Sequence, residues 1–309
     1  MTSARQARVV FAALSLLVAC GLAAQQPPPP AEDTFRHRVD VTLVMVTASV
    51  IGPDGKPVTD LEREAFQVYE DGAARPLKVF ERKTAQPLQL ALMVDASLST
   101  AGELPAEKRA LARFMQRVLL PGDAAALYEF SGGARLLVDF SSNLRRLQAG
   151  LASIKPRAGT ALYDVVVEAS GKLKERDGRR VLVLVTDGSD TTSEKTYADA
   201  IRAAQQAEVT VFALIIRPIL GESGRSVRGE HVLINFAEMT GGRVFFVARA
   251  AQMDQFFAEL SELLRTQYLL GYEAAPAEWR ARLRTIEVRV KGKDYVVRHR
   301  KGYYAEARK

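Results

Sequence analysis

Cysteine occurs once in 309 residues, at Cys20, so the chain cannot close a disulfide within itself. Histidine occurs three times, at His37, His231 and His299, with no ligand spacing among them, and each is read as a surface or core residue. The only tryptophan, Trp279, lies in polar, basic surroundings and is read as an anchor for a terminal β segment. There is no Gly-x-Ser-x-Gly elbow, no Gly-rich phosphate loop and no His-Glu-x-x-His, which removes the sequence signatures of serine hydrolases, P-loop enzymes and zinc proteases. A nucleic-acid arm is missing as well. The net charge is +7, but 43 basic residues are interleaved with 36 acidic ones, the pattern of a solvated surface. The densest basic stretch, Arg280 to Arg300, alternates with apolar residues and reads as a strand with a polar face.

Arg5 and Arg8 precede an apolar stretch from Val9 to Ala19, too short to span a bilayer. These are the n-region and h-region of an export signal over residues 1–24. Leu17-Val18-Ala19-Cys20-Gly21 resembles the bacterial lipobox, which implies lipidation of Cys20 and attachment to a membrane; cleavage near Ala23 or Ala24 is the alternative. The expected location is the periplasm or cell envelope, lipid-anchored, or the exterior by secretion. Residues 25–33, with Pro27 to Pro30, form an extended linker.

The remaining chain divides by pattern. Residues 34–84 read as a β meander: Val39 to Val50, then Phe66, Val68 and Tyr69, then Val79 and Phe80, separated by turns at Pro53-Asp54-Gly55-Lys56 and Glu70-Asp71-Gly72. Such a piece is too small to stand alone. Residues 267–309 offer partners, with Leu283 to Val290 and Tyr295 to Arg300 read as a hairpin about Lys291-Gly292-Lys293-Asp294. The two flanks would build one β module from both ends of the chain.

Between them, residues 86–266 alternate strands and helices. Leu88 to Val94 is a nearly unbroken apolar run, interrupted only by Gln89, and Val181 to Val185 is apolar without a break, as strands covered on both faces are; Val209 to Ile216 is similar. Helical spacing recurs through Leu104 to Leu119, Leu144 to Ile154, Tyr163 to Leu173 and Met253 to Leu264, and a polar helix spans Tyr197 to Gln206. The pairs Phe245-Phe246 and Phe256-Phe257 are read as core. The predicted fold class is α/β, a doubly wound, mostly parallel, Rossmann-like sheet with a small β module from the flanks.

The buried run at Leu88 stops at Asp95, and Ser97 and Ser99 follow at alternate positions. Strand carboxyl ends are where open α/β sheets hold ligands, and an all-oxygen set suits a hard cation such as Mg²⁺. The blander reading is that Asp95 and the serines cap the next helix. Two further donors weigh against it: Thr160 in a loop before a helix, and Asp187 at the end of the second buried strand. Parallel neighbours end on one side, so Asp95 and Asp187 would converge, and their like charges call for a cation between them.

Asp95-x-Ser97-x-Ser99, Thr160 and Thr186-Asp187-Gly188 together resemble the metal-ion-dependent adhesion site of the von Willebrand factor type A family. Leu98 stands where that family commonly has Gly. Phe66 to Gly72 and Arg298 to Tyr304 resemble an exported bacterial subgroup known chiefly from acidobacteria. The resemblance implies Mg²⁺ as cofactor, with Mn²⁺ or Ca²⁺ as alternatives. It implies that Ser97 and Ser99 bind the metal directly, that Thr160 does so when a ligand is engaged, and that Asp95 and Asp187 act mainly through water. The partner would be a protein offering Asp or Glu to the metal, and the protein would not be an enzyme. Two other readings stand beside this one: an envelope scaffold in which the metal only stabilises the fold or is absent, and a Mg²⁺-dependent phosphoryl-transfer hydrolase with Asp95 as nucleophile. The second wants an acid where Ser97 stands. Asp190, Thr191 and Thr192 are read as tuning the site or as turn residues, and Asp164 as a first-turn partner of its helix dipole.

Overall fold

The computed structural model describes residues 42–82, 85–216, 227–247, 252–276, 282–292 and 294–305. The export signal, Cys20, the proline linker, His37 and Trp279 lie outside these residues. Four strands come first: β1 (Leu43–Ile51), β2 (Phe66–Glu70), β3 (Ala73–Arg75) and β4 (Leu77–Glu81). The expected meander does not form. Strands β2 and β3 pair as a hairpin, but β1 and β4 each pair with a strand from the far end of the chain.

The central sheet follows, with β5 (Leu88–Asp95), β6 (Ala124–Phe130), β7 (Ala134–Ser141), β8 (Arg179–Thr186), β9 (Thr210–Ile216) and β10 (Val244–Val247). Its order is β10-β9-β8-β5-β6-β7, parallel except for β7, which turns back antiparallel on β6. Among the described residues six helices flank it: α1 (Leu104–Val118), α2 (Leu144–Ser153), α3 (Leu162–Lys174), α4 (Tyr197–Gln206), α5 (Val227–Thr240) and α6 (Met253–Arg265). The fold is α/β and doubly wound, as its sequence pattern predicts.

The nearly unbroken apolar run of β5 is explained by its two covered faces. Leu88, Leu90, Leu92 and Val94 belong to a core with α1, α2 and α6, while Ala91 and Met93 face a second core with α3, α4 and α5. Side chains alternate across a strand, so a strand covered on both sides is apolar at nearly every position, and the polar exception, Gln89, accepts the Arg176 Nε–H at 3.1 Å. Phe245, Phe256 and Phe257 are buried in the first core, whereas Phe246 is 42% exposed and is not core.

The chain closes with β11 (Tyr268–Glu273), β12 (Arg282–Val290), β13 (Val296–His299) and β14 (Gly302–Ala305). These complete two antiparallel sheets, β13-β1-β11-β4 and β14-β12-β2-β3, which share one core containing Val46, Val68, Tyr268, Leu270 and Val288. The predicted hairpin is corrected here: β12 pairs with β2 and β14, while β13 crosses to β1. The physical reason is the β12 core face. Ile286 and Val288 pack into the shared core, and the backbone N–H of Val288 bonds to the His299 ring rather than to a β13 carbonyl.

Candidate metal centre

Asp95 ends β5 with no solvent exposure, and Asp187 follows the last residue of β8, the strand paired in parallel beside it. Both carboxylates therefore lie at one edge of the sheet. The chain past Asp95 turns through a short 3-10 segment, Leu98–Thr100, which is held by Thr100 donating to the carbonyls of Asp95 and Ser97 at 3.0 Å each. No serine side chain caps α1, whose N-cap is Glu103. The capping reading of Ser97 and Ser99 is thereby removed.

The hydroxyls run in a line across the edge. Ser97 Oγ lies 2.9 Å from Ser99 Oγ, and Ser99 Oγ donates to Asp187 Oδ2 at 2.7 Å. Asp95 lies behind this line. Its Oδ1 accepts from the Ser97 amide at 2.8 Å, and its Oδ2 accepts from Thr186 Oγ1 at 2.6 Å. Burial raises the Asp95 carboxyl to about 6, against the lowering effect of the Ser97 and Thr186 hydrogen bonds. Asp187 is better solvated and takes the Ser189 amide on Oδ1 at 2.9 Å.

Thr160 is buried beside this line but not bonded into it. Its loop is tied to the end of β5, where the Arg157 amide donates to Ala96 O at 2.7 Å. Its backbone is clamped to the loop after Asp187: Thr160 N–H donates to Thr191 Oγ1 at 2.9 Å, and the Thr191 and Thr192 amides donate to Thr160 O. Gly159, with φ +84°, lets this loop pass against Gly132. A Cβ at residue 159 would fall 2.9 Å from Gly132 Cα and 3.0 Å from Thr192 Cγ2.

Thr186 enters the sequence reading only within Thr186-Asp187-Gly188, with no role for its own side chain. Its hydroxyl joins Asp95 to the Gly188 amide, which it accepts at 3.0 Å. Asp190, and Ser193, for which the sequence offers no signal, cap helix α3. Helix α3 has Ala161 at its N-cap and so no cap of its own, and Asp190 Oδ1 accepts the Leu162 amide at 2.8 Å while Ser193 Oγ accepts that of Tyr163 at 3.0 Å. Asp164 does not serve merely as a dipole partner. Its carboxylate accepts the amides of Glu194 and Lys195, fastening the other side of the same loop.

Glu107 on α1 gave no sequence signal at all. It is fully buried, neither carboxyl oxygen has a hydrogen-bond partner, and burial pushes it to about 8, with Asp95, Glu103 and Asp187 adding to the rise. Its place in the sequence, on the inward side of an amphipathic helix, is where an apolar residue is expected.

Among the described residues no three acidic, histidine or cysteine side chains converge as a metal group. What converges is a mixed set of hydroxyls and carboxylates. That donor chemistry fits a hard cation that keeps several waters, and not zinc or copper.

Residues 90–189 match the family model for the von Willebrand factor type A domain. The chain carries a von Willebrand factor type A domain. The matched span runs from β5 through the loop after β8, and so contains all five oxygen-bearing residues. Solved structures agree in fold. A von Willebrand factor type A protein from Catenulispora acidiphila superposes with a TM-score of 0.51 at 12% identity, covering 85% of this chain and 72% of its own. Proximal thread matrix protein 1 from the mussel byssus gives 0.50 at 18% identity, covering 63% and 51%. The conserved hypothetical protein BatB from Bacteroides thetaiotaomicron gives 0.47 at 20%, covering 58% and 100%. No curated protein matches the sequence.

Proposed function

We propose that this von Willebrand factor type A domain is a protein-binding module in which Ser97 and Ser99 hold a Mg²⁺ ion, with Asp95, Asp187 and Thr160 around it. When bound, the cation supplies an electrophilic position for a carboxylate, so the partner is a protein offering Asp or Glu. The observation that carries this reading is the line Ser97 Oγ, Ser99 Oγ, Asp187 Oδ2, with spacings of 2.9 and 2.7 Å, at the carboxyl edge of a parallel sheet. Four of the five residues are already joined by direct bonds, to one another's side chains or through a neighbouring amide. Little rearrangement would be needed to seat an ion, and Asp95, braced by Thr186, holds negative charge behind the hydroxyls.

The test is calorimetric titration and thermal unfolding of the chain with Mg²⁺, beside Asp187→Ala. A ligand that binds only the folded protein raises the melting temperature by mass action. Saturable Mg²⁺ binding lost in a variant that still melts cooperatively supports the module. A wild type that ignores millimolar Mg²⁺ and Mn²⁺ sinks it. With binding established, metal-dependent capture of partners bearing exposed carboxylates follows.

A further inference from the structure

The opposite edge of the central sheet holds a second polar site. Arg179 opens β8, paired with Leu88, at the amino end of the strand whose other end leads to Asp187. The two ends are roughly 20 Å apart at the rise of an extended strand. Here a cavity of about 210 Å³ lies between the central sheet and the β1–β11 sheet, lined by Arg179, Arg180, Arg300, Glu208, Gln267 and Thr210 among others.

Three guanidinium groups on one small cavity is a costly arrangement unless something compensates it. Arg179 is only 4% exposed and has no carboxylate partner among the described residues. It donates to the carbonyls of Gln86 and Leu264 and to Gln267 Oε1, yet its Nη2 has no hydrogen-bond partner. Arg300, 9% exposed, gives Nη2 to Met45 O at 2.8 Å and leaves Nε unpartnered. Its Nη1 lies 2.7 Å from Glu208 Oε1, an ion pair whose angles do not make a hydrogen bond. Arg180 is anchored by the carbonyls of Arg176 and Ala207. Among the described residues Glu208, half-exposed, is the only acid on the cavity wall, so the arginines there outnumber it three to one.

We propose that this cavity binds a small oxyanion of the phosphate class, held by Arg179 and Arg300. Guanidinium groups match oxyanions in geometry and remain charged at every physiological pH. The unpartnered Nη2 of Arg179 and Nε of Arg300 are closed off from the cavity as they stand, so the anion would take them up through a small turn of each guanidinium group toward it. Glu208 competes for Arg300 and keeps the site weak until the anion displaces it. The proposal concerns residues far from the serine–aspartate line and does not depend on any metal there.

The experiment is thermal unfolding and calorimetry of the full chain in EDTA, titrated with inorganic phosphate against sodium chloride of matched ionic strength. EDTA keeps phosphate from binding through a divalent ion. The expected result is a saturable rise in melting temperature between about 0.1 and 10 mM phosphate. Glu208→Gln removes the competitor and should tighten binding about tenfold, an outcome that misfolding cannot imitate. Arg300→Gln should weaken it about tenfold or more; Arg300→Lys, which keeps the charge but loses the planar fork, takes its place if that variant does not fold and should also weaken it. A shift that chloride reproduces, or a Glu208→Gln variant that binds no more tightly than wild type, overturns the proposal.

Discussion

Ser99 Oγ donates a 2.7 Å hydrogen bond to Asp187 Oδ2 across 88 residues of chain. The bond joins the turn after β5 to the turn after β8 at an exposed point of the sheet edge. An exposed hydroxyl bond contributes little to folding, so Ser99→Ala should change unfolding free energy by less than about 1 kcal/mol. If the hydroxyl is a metal donor, the same substitution should remove most of the Mg²⁺-induced rise in melting temperature. Full retention of that rise in Ser99→Ala would count against the proposed ligand set.

Thr186 tests the layer behind. Its hydroxyl is shared between the buried Asp95 carboxylate and the Gly188 amide. Thr186→Val keeps the shape but strands both groups, and urea unfolding without metal should show a loss of about 2–3 kcal/mol. A loss within experimental error would mean that Asp95 finds another donor.

Gly159 and Gly55 form a matched pair. Both have positive φ, +84° and +77°, but only at residue 159 would a Cβ meet neighbours within 4 Å. Alanine at residue 55 should cost about 1 kcal/mol of backbone strain. Alanine at residue 159 should cost about 1–2 kcal/mol more and also weaken Mg²⁺ binding, because it displaces the loop carrying Thr160. Equal losses in the two variants would show that the loop yields freely.

His299 gives the pH dependence. Its Nε2 accepts the Val288 amide at 3.1 Å, which leaves Nδ1 to donate to Arg300 O at 2.8 Å. Burial, and then Lys301 nearby, push the ring from its ordinary 6.5 down to about 4. The folded state therefore binds fewer protons than the unfolded state between those values. The contribution of the neutral ring is complete above 6.5 and is lost as pH falls toward 4, by about 3 kcal/mol in all. Urea unfolding of wild type against His299→Gln should show the wild type losing the additional stability over that window. Parallel pH profiles would contradict the assignment.

Composition and spacing alone pointed to the α/β class, the three doubly covered strands and the oxygen-bearing residues at the ends of β5 and β8. Those features are local: a strand buried on both faces is apolar at nearly every position, and a ligand edge follows from where such a strand stops. Tertiary structure decided the rest. Tyr268 to Glu273 forms the inner strand β11, although its sequence gave no distinct strand signal beside the amphipathic α6. Strand β13 left β12 for β1 because the choice of partner depends on which side chains share a core, and residues hundreds of positions apart make that core. Thr186, Asp190 and Glu107 took their roles in the same way. A hydroxyl, a turn carboxylate and a buried acid have no spacing that marks them, and only the approach of another segment fixes what each one touches.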